Sequence, residues 1–73
     1  MGVADKVAVA LKALGKERGL PNKFLCSEIA ERAGILPLHV PVALRSLKSI
    51  RVGGKDWSLC ARRIKGRSWV KVQ

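Results

Sequence analysis

A single histidine, two cysteines, one phenylalanine and no tyrosine stand among the 73 residues of this chain. Each shortage excludes something. His39, Cys26 and Cys60 cannot make a four-ligand zinc site without carboxylates, and no C-x-x-C spacing is present. Both thiols are expected to be small buried or half-buried side chains, with no metal and no cofactor. Acids are scarce, five in all, and none forms the carboxylate pair that acid–base chemistry would use. No nucleophile stands beside a base, and Gly53-Gly54 alone is a weak sign of a phosphate loop. No catalytic residue is expected, and the chain does not read as an enzyme. Long apolar runs are missing too: nothing approaches the roughly 18 residues a membrane span requires. Asp5, Lys6 and Lys12 interrupt the apolar pattern near the start, unlike a signal peptide. The expected location is cytoplasmic or nucleoid-associated, with no membrane partner.

What the chain does have is positive charge. Fifteen Lys and Arg against five Asp and Glu give a net charge of +10. All five acids lie at or before Asp56, so residues 57–73 carry only cations: Arg62, Arg63, Lys65, Arg67 and Lys71. Solubility can be had with mixed signs, so a single-signed end on a small domain favours a polyanionic partner, of which nucleic acid is the commonest. Apolar residues make up 48% of the chain, enough for one core at the lower size limit of independent folding. One domain, residues 1–73, is expected.

Val3, Val7, Leu11 and Leu14 step by four, four and three, which aligns them on one stripe of a helix from about residue 3 to 18. Lys12, Lys16 and Asp5 fall opposite. Val9 lies on the outer flank, either as a dimer contact or as a single exposed valine that needs no explanation. Gly19 and Pro21-Asn22 end the helix. "KFLC" is short enough only for a small strand, near residues 24–26, or an extended link. Ser27 is placed to cap a second helix, Glu28 to Ala33, on which Glu28 and Arg32 form a favourable surface pair. Gly34 supplies the left-handed turn after it. "RVGGKD" reads as a loop by its glycines.

"WSLCARRI" and "RSWVKV" flank Lys65-Gly66, a tight hairpin turn. With a two-residue turn, Ile64 meets Arg67 and Leu59 meets Val72. One face of the ribbon is then Trp57, Leu59, Ala61, Val70 and Val72; the other is Ser58, Cys60, Arg62, Arg67, Trp69 and Lys71. A shift of one residue would scramble both faces.

"SEIAERAGILPLHVPVALRSL" resembles the helix-turn-helix of bacterial, archaeal and phage regulators. Ala30 stands four before the turn residue Gly34, with Ile35 and Val40 following to plug the angle between two helices. Helix, short strand, two helices and a hairpin with a greasy inner face together resemble a winged helix, over the whole chain. The resemblance implies an α+β fold of three helices with a C-terminal β-hairpin wing. It also implies a DNA-binding protein, a small transcriptional regulator or genome-associated protein, with helix 37–50 in the major groove and the 57–72 hairpin on phosphates.

On that third helix Val40, Ala43, Leu44, Leu47 and Ile50 share the core side. Leu38, Pro41, Val42, Arg45, Ser46, Lys48 and Ser49 lie opposite, and Pro37 falls in the turn before them. Both prolines fall where a helix begins, and a proline there removes only an N–H that would be unbonded anyway. The resemblance implies that Pro37, Leu38, His39, Pro41, Val42, Arg45 and Ser46 approach bases and phosphates. Arg45 alone can make two directed bonds to guanine, whereas Leu38 and Val42 can touch only a thymine methyl. Lys48 and Ser49 are expected to meet phosphate, as are Arg62, Arg63, Lys65, Arg67 and Lys71. His39 is either a polar surface residue or a phosphate or base contact. Trp69 is either stacked under a guanidinium or an aromatic contact to nucleic acid or a protein. Double-stranded DNA is the expected partner, with a homodimer or cooperative binding adding selectivity. Two rivals stand beside it: a protein-interaction module docking through Leu38, Pro41 and Val42, and an RNA- or ribosome-associated binder that reads shape.

Overall fold

The computed structural model describes residues 2–73. In chain order it contains α1 (Val3–Arg18), β1 (Asn22–Leu25), α2 (Cys26–Ala33), α3 (His39–Ala43), β2 (Ser49–Val52), β3 (Lys55–Ile64) and β4 (Arg67–Val72). The fold is α+β: three helices against an antiparallel four-stranded sheet of order β1-β4-β3-β2. Among the described residues no helix is long and apolar enough to cross a membrane.

The core joins one stripe of α1 to one face of the sheet. Val7, Leu11 and Leu14 are fully buried, together with Phe24, Ile29, Val40, Val70 and Val72. Val3, the first member of the stripe, is 38% exposed and lies at its edge. β4 is a central strand, paired to β1 on one side and β3 on the other. Its alternate residues Val70 and Val72 therefore point into the core, and Trp69 and Lys71 point away from the helices.

The β3–β4 hairpin has the two-residue register, from Ile64 opposite Arg67 to Leu59 opposite Val72. Lys65 (φ 51) and Gly66 (φ 78) are both left-handed, the geometry whose twist matches that of paired strands. Ala61 is a correction to the expected greasy face. It stands across from buried Val70, yet it is exposed. β2 pairs with β3 only as far as Ser58, so beyond that point β3 is an uncovered edge. Trp57 and Leu59 pack against the core while partly exposed. The Trp57 indole N–H donates to the Val52 carbonyl at 3.3 Å.

Four local expectations also change. The strand begins at Asn22 and ends at Leu25, and Cys26 opens α2, so Ser27 lies inside the first turn and makes no capping bond. Glu28 and Arg32 do not pair with each other. Arg18 donates to both oxygens of Glu28, and Arg32 donates to those of Glu17 at 2.5 and 2.8 Å, tying the end of α1 to α2. The bonds from Arg32 hold the Glu17 carboxyl below its ordinary pKa. "RVGGKD" is a second hairpin, with β2 turning at Gly53-Gly54 into β3.

The largest change is the third helix, expected over 37–50. Regular helix spans only His39–Ala43. Pro37 and Pro41 contribute no N–H, and the turn before the helix closes by short-range bonds from His39 N–H to Leu36 O (3.0 Å) and Val40 N–H to Pro37 O (3.1 Å). After Ala43 the chain tightens again, with Arg45 N–H on Val42 O (3.1 Å) and Ser46 N–H on Ala43 O (3.2 Å). Lys48 has left the helix, its carbonyl accepting from Leu59 N–H at 3.0 Å, and Ser49 is in β2 opposite Ser58. Ile50 is buried as foreseen, but from a strand. The alternation Ser-Ile-Arg-Val closing on two glycines favours a hairpin over another helical turn.

The register carries a direct test. Val70→Asp places a charge in the core and should cost more than about 4 kcal/mol, enough to unfold a domain this small. Lys71→Asp, on the other face, should change stability by less than about 1 kcal/mol. Thermal melts that rank the two variants equal would contradict this assignment of faces.

Candidate nucleic-acid interface

The first surface is the outer side of α3 and the turn after it. Leu38 is 65% and Val42 47% exposed, and Pro37, Pro41, Arg45 and Ser46 are exposed beside them. His39 is half-buried. The opposite side, Val40, Ala43 and Leu44, is buried against the core. The Ser46 hydroxyl donates back to the Ala43 carbonyl at 3.3 Å. Because the helix is short, Lys48 and Ser49 are exposed on the link and on β2, off the surface they were expected to share.

The second surface is the tip of the β3–β4 hairpin, where the resemblance places a wing. Arg62, Arg63, Lys65 and Arg67 are all exposed around the turn, where the Arg63 guanidinium donates to the Gly66 carbonyl at 3.4 Å. Among the described residues three ion pairs form: Arg18–Glu28, Arg32–Glu17 and Arg51–Asp56. Three of the five acids are thus matched to arginines elsewhere. None of the four wing cations, nor Arg45, has a carboxylate within ion-pair distance among the described residues. Their field is uncompensated and available to an anion.

The two surfaces meet at a notch of about 400 Å³ lined by Leu25, Cys26, Ser27, Pro37, Arg67 and Ser68. Its origin is in the strand lengths. β1 stops opposite Trp69, so Arg67 and Ser68 have no strand partner on that side, and the chain turns away into α2. Chemically the notch offers a guanidinium and two hydroxyls, a set suited to phosphate oxygens. Sequence reasoning passed over Ser27 as a cap and left Ser68 unassigned; only the end of β1 brings them together.

Trp69 and Lys71 belong to neither surface. Both lie on the sheet face turned away from the helices, and the cation over the Trp69 ring is Lys23, its Nζ 4.7 Å from the centroid, in place of the expected guanidinium. Lys23 was the missed residue; its alternation with core Phe24 already pointed it outward. The two cysteines are free and far apart in character. Cys26 is buried, which pushes its thiol pKa up, while Cys60 is half-buried on the outer sheet face opposite Lys71. Among the described residues no three His, Cys, Asp or Glu side chains converge on a metal-sized site. No family model matches the chain, and no curated protein or solved structure matches it either.

Lys65 stands in a left-handed conformation that strains most side chains by about 1 kcal/mol and that asparagine adopts readily. Lys65→Asn should therefore raise stability by about 0.5–1 kcal/mol, a melting shift of a few degrees, while weakening binding to a polyanion. A lower melting temperature would mean that the turn does not carry this strain.

Proposed function

We propose that this chain is a winged-helix protein that binds double-stranded DNA, as a small regulator or genome-associated protein. The observation that carries the reading is the shared notch: Pro37, on the approach to α3, and Arg67 and Ser68, at the base of the wing tip, wall one cleft. The exposed side of α3 and the cationic tip therefore flank one edge of the molecule. A duplex laid along that edge would meet the segment Leu38–Ser46 in its major groove and the wing on its phosphates. The order β1-β4-β3, with β3 and β4 as the hairpin, is compatible with a winged helix.

Arg45 is the base reader in this arrangement, able to span two acceptors of one guanine, with Leu38 and Val42 against thymine methyls. Arg62, Arg63, Lys65 and Arg67 take phosphates, which carry no sequence code. Lys48 and Ser49, on the link and in β2, lie off that surface and lose the aim that a longer helix would have given them. Selectivity for a domain of this size would come from two copies on one duplex. A second reading rests on Leu38, Pro41 and Val42, all exposed, Leu38 at 65% and Val42 at 47%. Exposed apolar side chains at Leu38, Pro41 and Val42 suit a protein partner, with Arg45 at their rim.

Duplex titration at two salt concentrations separates these readings, with structured RNA as a parallel arm. Alanine at Arg62, Arg63, Lys65 and Arg67 together should weaken every duplex about equally and flatten the salt dependence. Arg45→Ala should cost about 1–3 kcal/mol on a preferred site and little on a scrambled one. Leu38→Ser/Val42→Ser should retain most of the affinity. An unchanged salt slope would overturn the DNA reading, and an Arg45→Ala that is silent on every duplex would remove α3 as the base reader. Tighter binding of structured RNA would redirect it.

A further inference from the structure

The outer face of the sheet enters that arrangement only through Arg62 and Arg67, at its hairpin end. β-strand alternation and the two registers bring six side chains together there: Lys23 and Leu25 from β1, Trp69 and Lys71 from β4, and Cys60 and Arg62 from β3. Leu25 and Arg62 are the direct neighbours of Trp69, and Lys23 and Cys60 are those of Lys71. The tryptophan sits in the central strand with cations on both sides. Lys23 Nζ lies 4.7 Å from its ring. The acid that alternation places on this side of the sheet is Asp56, at the far end of β3 and held by Arg51 at 3.2 Å.

A basic surface alone would fit any polyanion. The indole narrows the choice. A half-buried aromatic ring among cations can stack a base, and it can do so only with a base that is not already hidden between its neighbours in a duplex. The lysine on the ring shows that the indole face is reachable by a group from the side, and an ammonium is readily exchanged there for a base as it moves to the adjoining phosphate. We propose that this face binds single-stranded nucleic acid, with Trp69 stacking one base and Lys23, Arg62 and Lys71 holding the phosphates on either side. The inference shares Arg62 with the duplex reading but turns on Trp69, Lys23 and Lys71, which that reading does not use, so substitutions at Trp69 test it separately.

The test is fluorescence anisotropy with labelled thymidine and uridine oligomers of about 12 nucleotides, inorganic polyphosphate serving as a polyanion without bases. Trp69→Ala should weaken both oligomers by about 5- to 150-fold, the range expected for one stacked base. Trp69→Phe should keep most of the affinity, and binding of polyphosphate and of blunt duplex should stay within about twofold. A difference between the two oligomers would tell DNA from RNA. A second measurement needs no substitution: iodoacetamide should alkylate Cys60 several-fold more slowly under saturating oligomer, with buried Cys26 as internal control. Should Trp69→Ala fail to fold, Trp69→Phe and the Cys60 protection carry the test. A folded Trp69→Ala that binds oligomers like wild type would overturn the proposal. So would equal losses on oligomer and polyphosphate, or a Cys60 rate that oligomer leaves unchanged.

Discussion

Everything that can be said about the surfaces of this domain depends on the two-residue turn at Lys65-Gly66. A turn of that length and hand allows one pairing of β3 with β4 and no other, since a slip of one residue would exchange their faces. The pairing puts Val70 and Val72 under α1 beside Phe24, where they complete the core. By the same alternation it puts Trp69 and Lys71 on the opposite side and leaves the turn itself ringed by cations. Core and charge are therefore not separate designs; they are the two sides of one ribbon. The turn has its own cost, a lysine held in a left-handed conformation, at the position where a wing would meet phosphate.

The second constraint is the pair of prolines. They fix where α3 can begin, and the strand pattern of residues 49–52 ends it after five residues, so that β2 forms and its Ile50 closes the core from the sheet side. A short helix presents few side chains, and those presented are mostly apolar. In the proposed arrangement this gives a protein whose grip comes mainly from phosphates, with Arg45 supplying what base selectivity there is. Binding of that kind is strongly salt-dependent and spreads over many sites, which suits a genome-associated role at least as well as control of a single operator.

Much of the fold was legible in the sequence because its signals were local and periodic. The stripe Val7-Leu11-Leu14, the turn glycine Gly34, and the alternation on either side of Lys65-Gly66 each point to one geometry, and each has it. The failures have physical causes. Gly53-Gly54 suggested a loop, because two glycines can equally make a hairpin turn, and the choice rests on whether Ile50 is buried from a strand. Glu28 and Arg32 are correctly spaced for a helical pair, but partners on α1 compete, and sequence spacing says nothing about a neighbouring helix. Ala61 was assigned inward by alternation alone, and burial also needs something on top. For the candidate interface, the wing cations could be read directly from composition. The notch between Ser27, Pro37 and Arg67 could not, because it exists only where β1 ends.

The proposed duplex-binding edge can be observed directly by following the backbone amides of labelled protein in NMR spectra as a short duplex is added at low salt. The largest shifts should fall in residues 38–46 and 62–67 together, with the amides of α1 unmoved. Shifts confined to the wing would leave α3 without a role in the groove. Shifts centred on α1, or on neither segment, would contradict the edge altogether.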